Sequence, residues 1–165
     1  MLTQSELKEF VHYDSNTGIF TWIKSTAKCI KIGSVAGSIG DGYIRLKIKY
    51  KSYRAHRLAW LYMMGEFPEK GLEIDHKNMN RSDNRWVNLR CATKAQNMQN
   101  RAVFTNSKSG LKGVSWDKDA KKWRARLLIN GINKHLGFAL TPEKAFQLYK
   151  NAAEAHHKSF FRSSL

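Results

Sequence analysis

The alternation of apolar and polar residues changes period several times along the chain, and each change marks an element. Met1-Leu2-Thr3-Gln4-Ser5-Glu6-Leu7 reads as the start of a short helix. Gly18 to Ile23 is a strand candidate that follows an Asn16-Thr17-Gly18 turn signal. From Gly42 to Lys49 apolar and basic residues alternate at period two, which predicts a half-buried strand with Arg45, Lys47 and Lys49 on one face. Residues 54–64 then switch to a helical pattern with one apolar face; Gly65 ends it and Pro68 prevents its resumption. Ile74 anchors a short strand, residues 77–84 are a polar turn region, and Val87 to Cys91 make the returning strand. Thr93 is placed to cap a helix through Lys94-Ala95-Gln96-Asn97-Met98.

Residues 102–110 are polar and turn-rich toward their end, as a linker is. Beyond them lie three strand candidates, Lys112 to Trp116, Lys122 to Ile129 and Ile132 to Phe138. Asp117 to Ala120 turns between the first two, and Asn130-Gly131 is a two-residue hairpin signal between the second and third. Thr141-Pro142-Glu143 opens a helix with a cap and a proline at its first position, and a stripe from Ala145 to His156 continues it. Along the middle strand, Trp123, Ala125 and Leu127 should meet the helix, and Arg124, Arg126 and Leu128 should face out. The fold class this predicts is α+β: an N-terminal β-rich region, a central strand–loop–strand–helix module, and a C-terminal three-stranded antiparallel sheet packed on one helix. The corresponding division is 1–53, 54–104, a linker at 105–111, and 112–165. No internal repeat interrupts it.

Charge narrows the partner. The 165 residues carry 29 Lys and Arg against 13 Asp and Glu, a net charge of +16 with a pI near 10.0. The excess is +3 over residues 1–50, +6 over 51–108 and +7 over 109–165, so all three parts suit a polyanion, the last two more. Nucleic acid is the first candidate and an anionic membrane surface the second. No segment is apolar and long enough to span a bilayer, and no secretory signal opens the chain. Cys29 and Cys91 form no CxxC pair, which argues against a zinc knuckle or a disulfide framework and for reduced thiols in the cytoplasm.

The chemistry concentrates in Glu73-Ile74-Asp75-His76, followed by Asn88-Leu89-Arg90 and Ala95-Gln96-Asn97. A carboxylate can hold a hard metal ion, a neutral imidazole can take a proton from water, and a basic surface can hold a phosphodiester. Those are the parts of a metal-dependent nuclease. An Asp-His pair alone is more often local hydrogen bonding in a turn; the two spaced asparagines shift the balance to an active site.

The stretch Ala55-His56-Arg57-Leu58-Ala59-Trp60 through Asp75-His76, Asp83-Asn84-Arg85, Asn88-Leu89-Arg90 and Asn97 resembles the HNH endonuclease family, in particular its phage and mobile-element homing type. Residues Ser109 to Trp116, Lys122 to Arg126 and His135-Leu136-Gly137 look like an APETALA/ethylene-response-factor-type DNA-binding domain. Together the two cover roughly residues 54–165, with looser matches such as Tyr13-Asp14 and Gly42-Tyr43-Ile44 before them. The resemblance implies a ββα-metal module in which Asp75 and Asn97 bind one divalent ion, Mg²⁺ or Mn²⁺. It makes His76 the general base, with Asn88 completing the catalytic set by pinning the loop. The implied reaction is hydrolysis of double-stranded DNA to 5′-phosphate and 3′-hydroxyl ends. The implied setting is the cytoplasm of a bacterial or phage-infected cell, and a monomer is favoured over a dimer because no coiled-coil seam is evident. The plant-type domain departs at its base-reading positions, where this chain has Ser115, Asp117 and His135.

Arg45, Lys47, Lys49, Arg57, Lys112, Arg124, Arg126 and Lys134 are the candidate DNA contacts. The basic face of the 42–49 strand is either a solvated edge or a surface laid against phosphates. Arg57 either supports a phosphate or pairs with an acid. His56, on an apolar stripe, reads as a packed structural histidine rather than a ligand; His156 and His157 read as solvated or capping. Trp60, Trp116 and Trp123 read as core or half-core aromatics. Two other functions fit the same chain: a non-catalytic DNA-binding regulator, and an RNA-binding protein of ribosomal type.

Overall fold

The computed structural model describes residues 1–25, 27, 30–99, 107–129 and 131–157. Cys29, the linker residues 102–106 and Asn130 lie outside them. The fold is α+β throughout, and it divides into two units, Met1–Thr93 and Lys94–Leu165.

The first unit opens with α1 (Gln4–Phe10), started by a reciprocal capping box between Thr3 and Glu6. Strands β1 (Val11–Tyr13) and β2 (Phe20–Trp22) form an antiparallel hairpin. Asp14 organises its turn by accepting from the Asn16 amide and the Thr17 hydroxyl, each at 2.9 Å. Then come β3 (Ser38–Gly40), β4 (Tyr43–Ile48) and β5 (Lys51–Arg54), a meander with β4 in the middle. Helix α2 (Ala55–Met64) follows and closes at Gly65 in the left-handed conformation, φ 88°. Strand β6 (Leu72–His76) pairs antiparallel with β7 (Leu89–Thr93), and a 3-10 turn, Trp86–Asn88, leads into β7.

One core runs through this unit. Leu7, Val11, Phe20 and Trp22 of the N-terminal elements share it with Leu46 and Ile48 of β4, Leu58 and Leu61 of α2, and Ile74 and Leu89 of β6 and β7. The β-rich leader and the β6–β7 hairpin are therefore packed on each other across residue 53.

Four sequence expectations change here. Arg54 ends β5 instead of opening the helix. Lys49 leaves the β4 face, because the chain turns at Lys49 and Tyr50, both with positive φ. The returning strand starts at Leu89, not Val87, because the Asn88 amide donates to the Arg85 carbonyl and closes the 3-10 turn first. The Asp75-His76 pair lies on the β ladder, opposite Arg90 and Leu89, not in a turn.

The second unit begins with α3 (Lys94–Gln99) and holds β8 (Val114–Asp117), β9 (Lys122–Ile129) and β10 (Ile132–Ala139) in an antiparallel sheet with β9 central. Helix α4 (Pro142–His157) packs on it; the Lys144 amide donates to the Thr141 hydroxyl at 3.3 Å, as the cap signal requires. Ala125 and Leu127 are buried against Ala145, Tyr149 and Ala153, so the predicted inner face of β9 is the observed one. Strand β8 starts two residues later than expected, because Gly113 takes φ 73° under Tyr149, where a Cβ would lie 2.1 Å from a ring carbon. Ser109 and Leu111, which fall in both the 105–111 linker and the Ser109 to Trp116 resemblance, pack with this fold: the Ser109 hydroxyl bonds the Val114 carbonyl at 2.9 Å and Leu111 packs on the core.

Candidate active site

His76 ends β6, and the chain then doubles back through a loop that returns at Asn88. Side-chain turns build that loop. Asn78 accepts from the Asn80 amide, Asn80 from the Ser82 amide, and Asp83 from the Arg85 amide. Asn88 ties the ends together. Its side-chain oxygen accepts from the Asn78 amide at 3.0 Å; its nitrogen donates to the Asn78 side-chain oxygen at 2.9 Å and to the Asp83 carbonyl at 2.8 Å.

The N-terminal hairpin supports the far side of the same loop. The Tyr13 hydroxyl donates to the Asn84 carbonyl at 2.6 Å, and the Trp86 amide donates to the Ser15 carbonyl at 2.9 Å. Gly18 sits so close that a Cβ there would lie 2.4 Å from the Arg85 nitrogen.

This fixes Asn84, which is 2% exposed, behind the histidine. Its side-chain nitrogen donates to the Ser82 carbonyl at 3.2 Å, so its oxygen is the atom that faces His76 Nε2, 3.3 Å away. An amide oxygen can only accept, so Nε2 carries the proton in the neutral ring and Nδ1 keeps its lone pair. His76 is 5% exposed. Burial holds its pKa below the ordinary value, against the Asn84 bond and the Asp75 charge, which push it up. A neutral imidazole with a fixed tautomer can accept a proton from water.

The His76 ring meets the His56 ring edge-on at 4.9 Å. His56 is buried, its Nδ1 has no hydrogen-bond partner, and burial, then the charges of His76, Arg54 and Arg57, push its pKa down to about 3. The structural-histidine reading thus gains a particular duty, packing against His76. It also carries a stability consequence. The unfolded imidazole protonates near ~6.5 while the folded one resists, so stability is complete above that pH and falls as the pH drops toward about 3. Between about pH 6.5 and 4.5 the stability measured by urea unfolding should fall by roughly 1.4 kcal/mol per pH unit for this one group. His56→Gln should flatten that slope, and an equally steep slope in the variant would assign the effect elsewhere.

Asp75 is 6% exposed and faces Arg90, whose Nε and terminal nitrogen both approach the same carboxylate oxygen, Oδ2, at 2.9 and 2.8 Å. The ion pair gives this buried carboxylate a cationic partner. Among the described residues no three His, Cys, Asp or Glu side chains cluster as a metal cage. A single ionised carboxylate supplemented by neutral oxygen donors suits one hard divalent ion that takes its other ligands from water and substrate. Asn97, the second candidate ligand, is half-buried on α3 in the other unit.

The candidate DNA contacts separate into exposed and engaged groups. Lys47 is exposed on β4; Arg45 is ion-paired with Asp41 at 2.8 Å, and Lys49 with Glu6. Arg57 is exposed and lies over the Phe67 ring at 5.3 Å, with no carboxylate among the described residues within 4.0 Å. In the second unit Arg126 is exposed, Arg124 is ion-paired with Asp117 at 2.9 Å, and Lys112 is half-buried with its pKa lowered by burial. Lys134 pairs with Leu127, which places it on the opposite face of the sheet from Arg124 and Arg126; a bulge between His135 and Gly137 then shifts the register.

Asn84 was the functional neighbour that residue types alone did not single out. The available signal was its place in Asp83-Asn84-Arg85, but its oxygen finds His76 only once the loop is folded.

A family model described as HNH endonuclease matches residues 53–99, the segment that carries β6, the loop, β7 and α3. The chain belongs to the HNH endonuclease family. It is 32% identical over 107 residues to Protein 3.8 of Escherichia phage T7, covering 65% of this chain and 88% of that one. It is 36% identical over 94 residues to DNA endonuclease I-HmuI of Bacillus phage SP01, covering 54% of this chain but only 51% of that protein. A solved structure of the HNH homing endonuclease I-HmuI, with DNA binding and cleavage as its subject, aligns at a TM-score of 0.44 and 25% identity over 84% of this chain and 76% of that chain.

Proposed function

We propose that this endonuclease hydrolyses DNA with His76 as general base and one divalent ion, Mg²⁺ or Mn²⁺, held by Asp75 and Asn97. The observation that carries the reading is the buried His76 with its Nε2 held by Asn84, one residue from the buried carboxylate of Asp75, inside the HNH segment. His76 Nδ1 takes a proton from a water whose oxygen attacks the phosphorus. The 3′-oxygen leaves on the opposite side and takes a proton from solvent water, giving 5′-phosphate and 3′-hydroxyl ends. When bound, the ion supplies positive charge at the non-bridging and leaving oxygens. Asn88 keeps His76 and the loop in register and does no chemistry itself.

The same reading assigns residues 54–104 to cleavage. Residues 112–165, a three-stranded sheet on one helix, act as an APETALA-type DNA-binding domain that presents Arg126. One site per chain nicks one strand, so a monomer suffices for nicking and a double-strand break needs a second event. Phage relatives support a site of action in the cytoplasm of an infected bacterium and suit a mobile-element role; no described helix is long and apolar enough to cross a membrane.

Supercoiled plasmid with Mg²⁺ or Mn²⁺ tests the activity: nicking that EDTA abolishes is expected, and DNA binding without nicking under any divalent ion would favour the regulator. A protein ending near Ser107 should retain cleavage but bind more weakly and with less site preference. Arg124→Ala with Arg126→Ala should resemble it, lowering the salt slope of binding by about 0.9 for each phosphate no longer neutralised. Unchanged affinity, slope and cut sites would remove the C-terminal sheet from the DNA interface.

A further inference from the structure

Four elements of the first unit converge on Tyr43: β5, the 77–84 loop, α2 and β6. The Arg54 guanidinium, at the end of β5, lies over its ring at 4.3 Å, and that of Arg81, in the 77–84 loop, at 5.1 Å. The same ring lies 5.3 Å from His56 and 6.3 Å from His76. The Ser82 hydroxyl donates to the Gly42 carbonyl at 3.4 Å, tying the loop to the turn that precedes Tyr43. Both arginines are exposed.

Among the described arginines of this unit these two share one ring, whereas Arg57 lies over Phe67. Arg45, Arg85 and Arg90 of this unit are each neutralised, by Asp41, Asp83 and Asp75. Among the described residues Arg54 and Arg81 have no carboxylate within 4.0 Å; an aromatic ring holds each guanidinium instead. Stacking fixes the plane of a guanidinium and leaves its N–H fork free to bind an oxyanion, which an ammonium cannot reproduce. Two like charges gathered on one ring favour an anion that bridges them. We propose that Arg54 and Arg81, oriented by Tyr43, are a phosphate-binding pair that seats the substrate's phosphodiester backbone beside His76. The inference rests on the nuclease reading above and adds the group that positions the substrate.

Two measurements test it: affinity for a labelled duplex across a salt series in EDTA, and nicking of saturating plasmid with Mg²⁺. Arg54→Ala and Arg81→Ala should each lower the salt slope by about 0.9, which is about eightfold in affinity at about 0.1 M salt. Each should also slow nicking at saturation by roughly 10- to 100-fold through misplacement of the phosphate. Arg→Lys at either position should restore the slope but not the saturated rate. Tyr43→Leu should lower the rate, and adding Arg54→Ala to it should cost less than in the wild type. Lys24→Ala, which removes a charge already paired with Glu9, serves as the control and should change neither. Thermal melts check folding, and should Arg54→Ala fail to fold, Arg81, on the loop, decides alone. Wild-type slope and rate in both alanine variants would overturn the pair while leaving the nuclease reading intact. A wild type that never cuts would end the nuclease reading, and the salt slope alone would then decide for or against phosphate contact.

Discussion

His76→Ala is expected to slow single-turnover cleavage by about 10²–10⁴ while changing DNA affinity little. The reason is geometric. His76 is buried at the end of β6, its tautomer is set by the Asn84 oxygen, and it adds no charge at neutral pH with which to hold a phosphate. Removing it takes away the proposed proton acceptor and leaves the basic surface as it was. The acidic limb of the wild-type pH–rate profile should fall below the ordinary imidazole value of about 6.5, because burial lowers the pKa and a cation bound at Asp75 would lower it further. Single-turnover rates across pH, with binding measured separately, check both statements. Wild-type turnover in the variant would assign the base elsewhere, and an acidic limb above the ordinary value would contradict the buried neutral ring.

Elements whose pattern is also their burial were legible. The helical stripe of residues 54–64 became α2 within one residue, and the alternation of 122–129 gave β9 with its inner face on α4. Strand β5 was not, because its turn carries no glycine or asparagine: Lys49 and Tyr50 themselves take positive φ. Lys134 lies on the expected strand, but its face, opposite that of Arg124 and Arg126, could not be read from the sequence, since pairing register and not residue type decides it. In the candidate site, the strand–loop–strand that carries Asp75, His76 and Asn88 could be read from residue type and spacing. Asn84 could not, since what aims it at His76 includes the Tyr13 hydroxyl, 71 residues away, and the close approach of Gly18. The same holds for the arginines on Tyr43. Nothing local in Arg54 or Arg81 distinguishes them from the paired arginines around them.

Asn88→Ala should do the reverse of His76→Ala, costing stability first and activity through it. Asn88 is 6% exposed and its side chain makes three hydrogen bonds, to the Asn78 amide, the Asn78 side chain and the Asp83 carbonyl. Alanine removes all three bonds and takes the partner from the Asn78 amide and the Asp83 carbonyl in a half-buried loop, at a cost of about 2–4 kcal/mol. For a unit of this size that corresponds to a fall in Tm of the order of 10 °C. Because Asn78 also donates to Asp83, the loss should spread along the loop and release Asn84 from behind His76. Cleavage should therefore decline steeply with temperature in the variant and recover toward the wild-type rate well below its Tm, whereas His76→Ala stays inactive at every temperature. Melting curves and cleavage rates taken together at several temperatures separate the two. A variant with the wild-type Tm and no activity would make Asn88 a group that acts on the substrate itself.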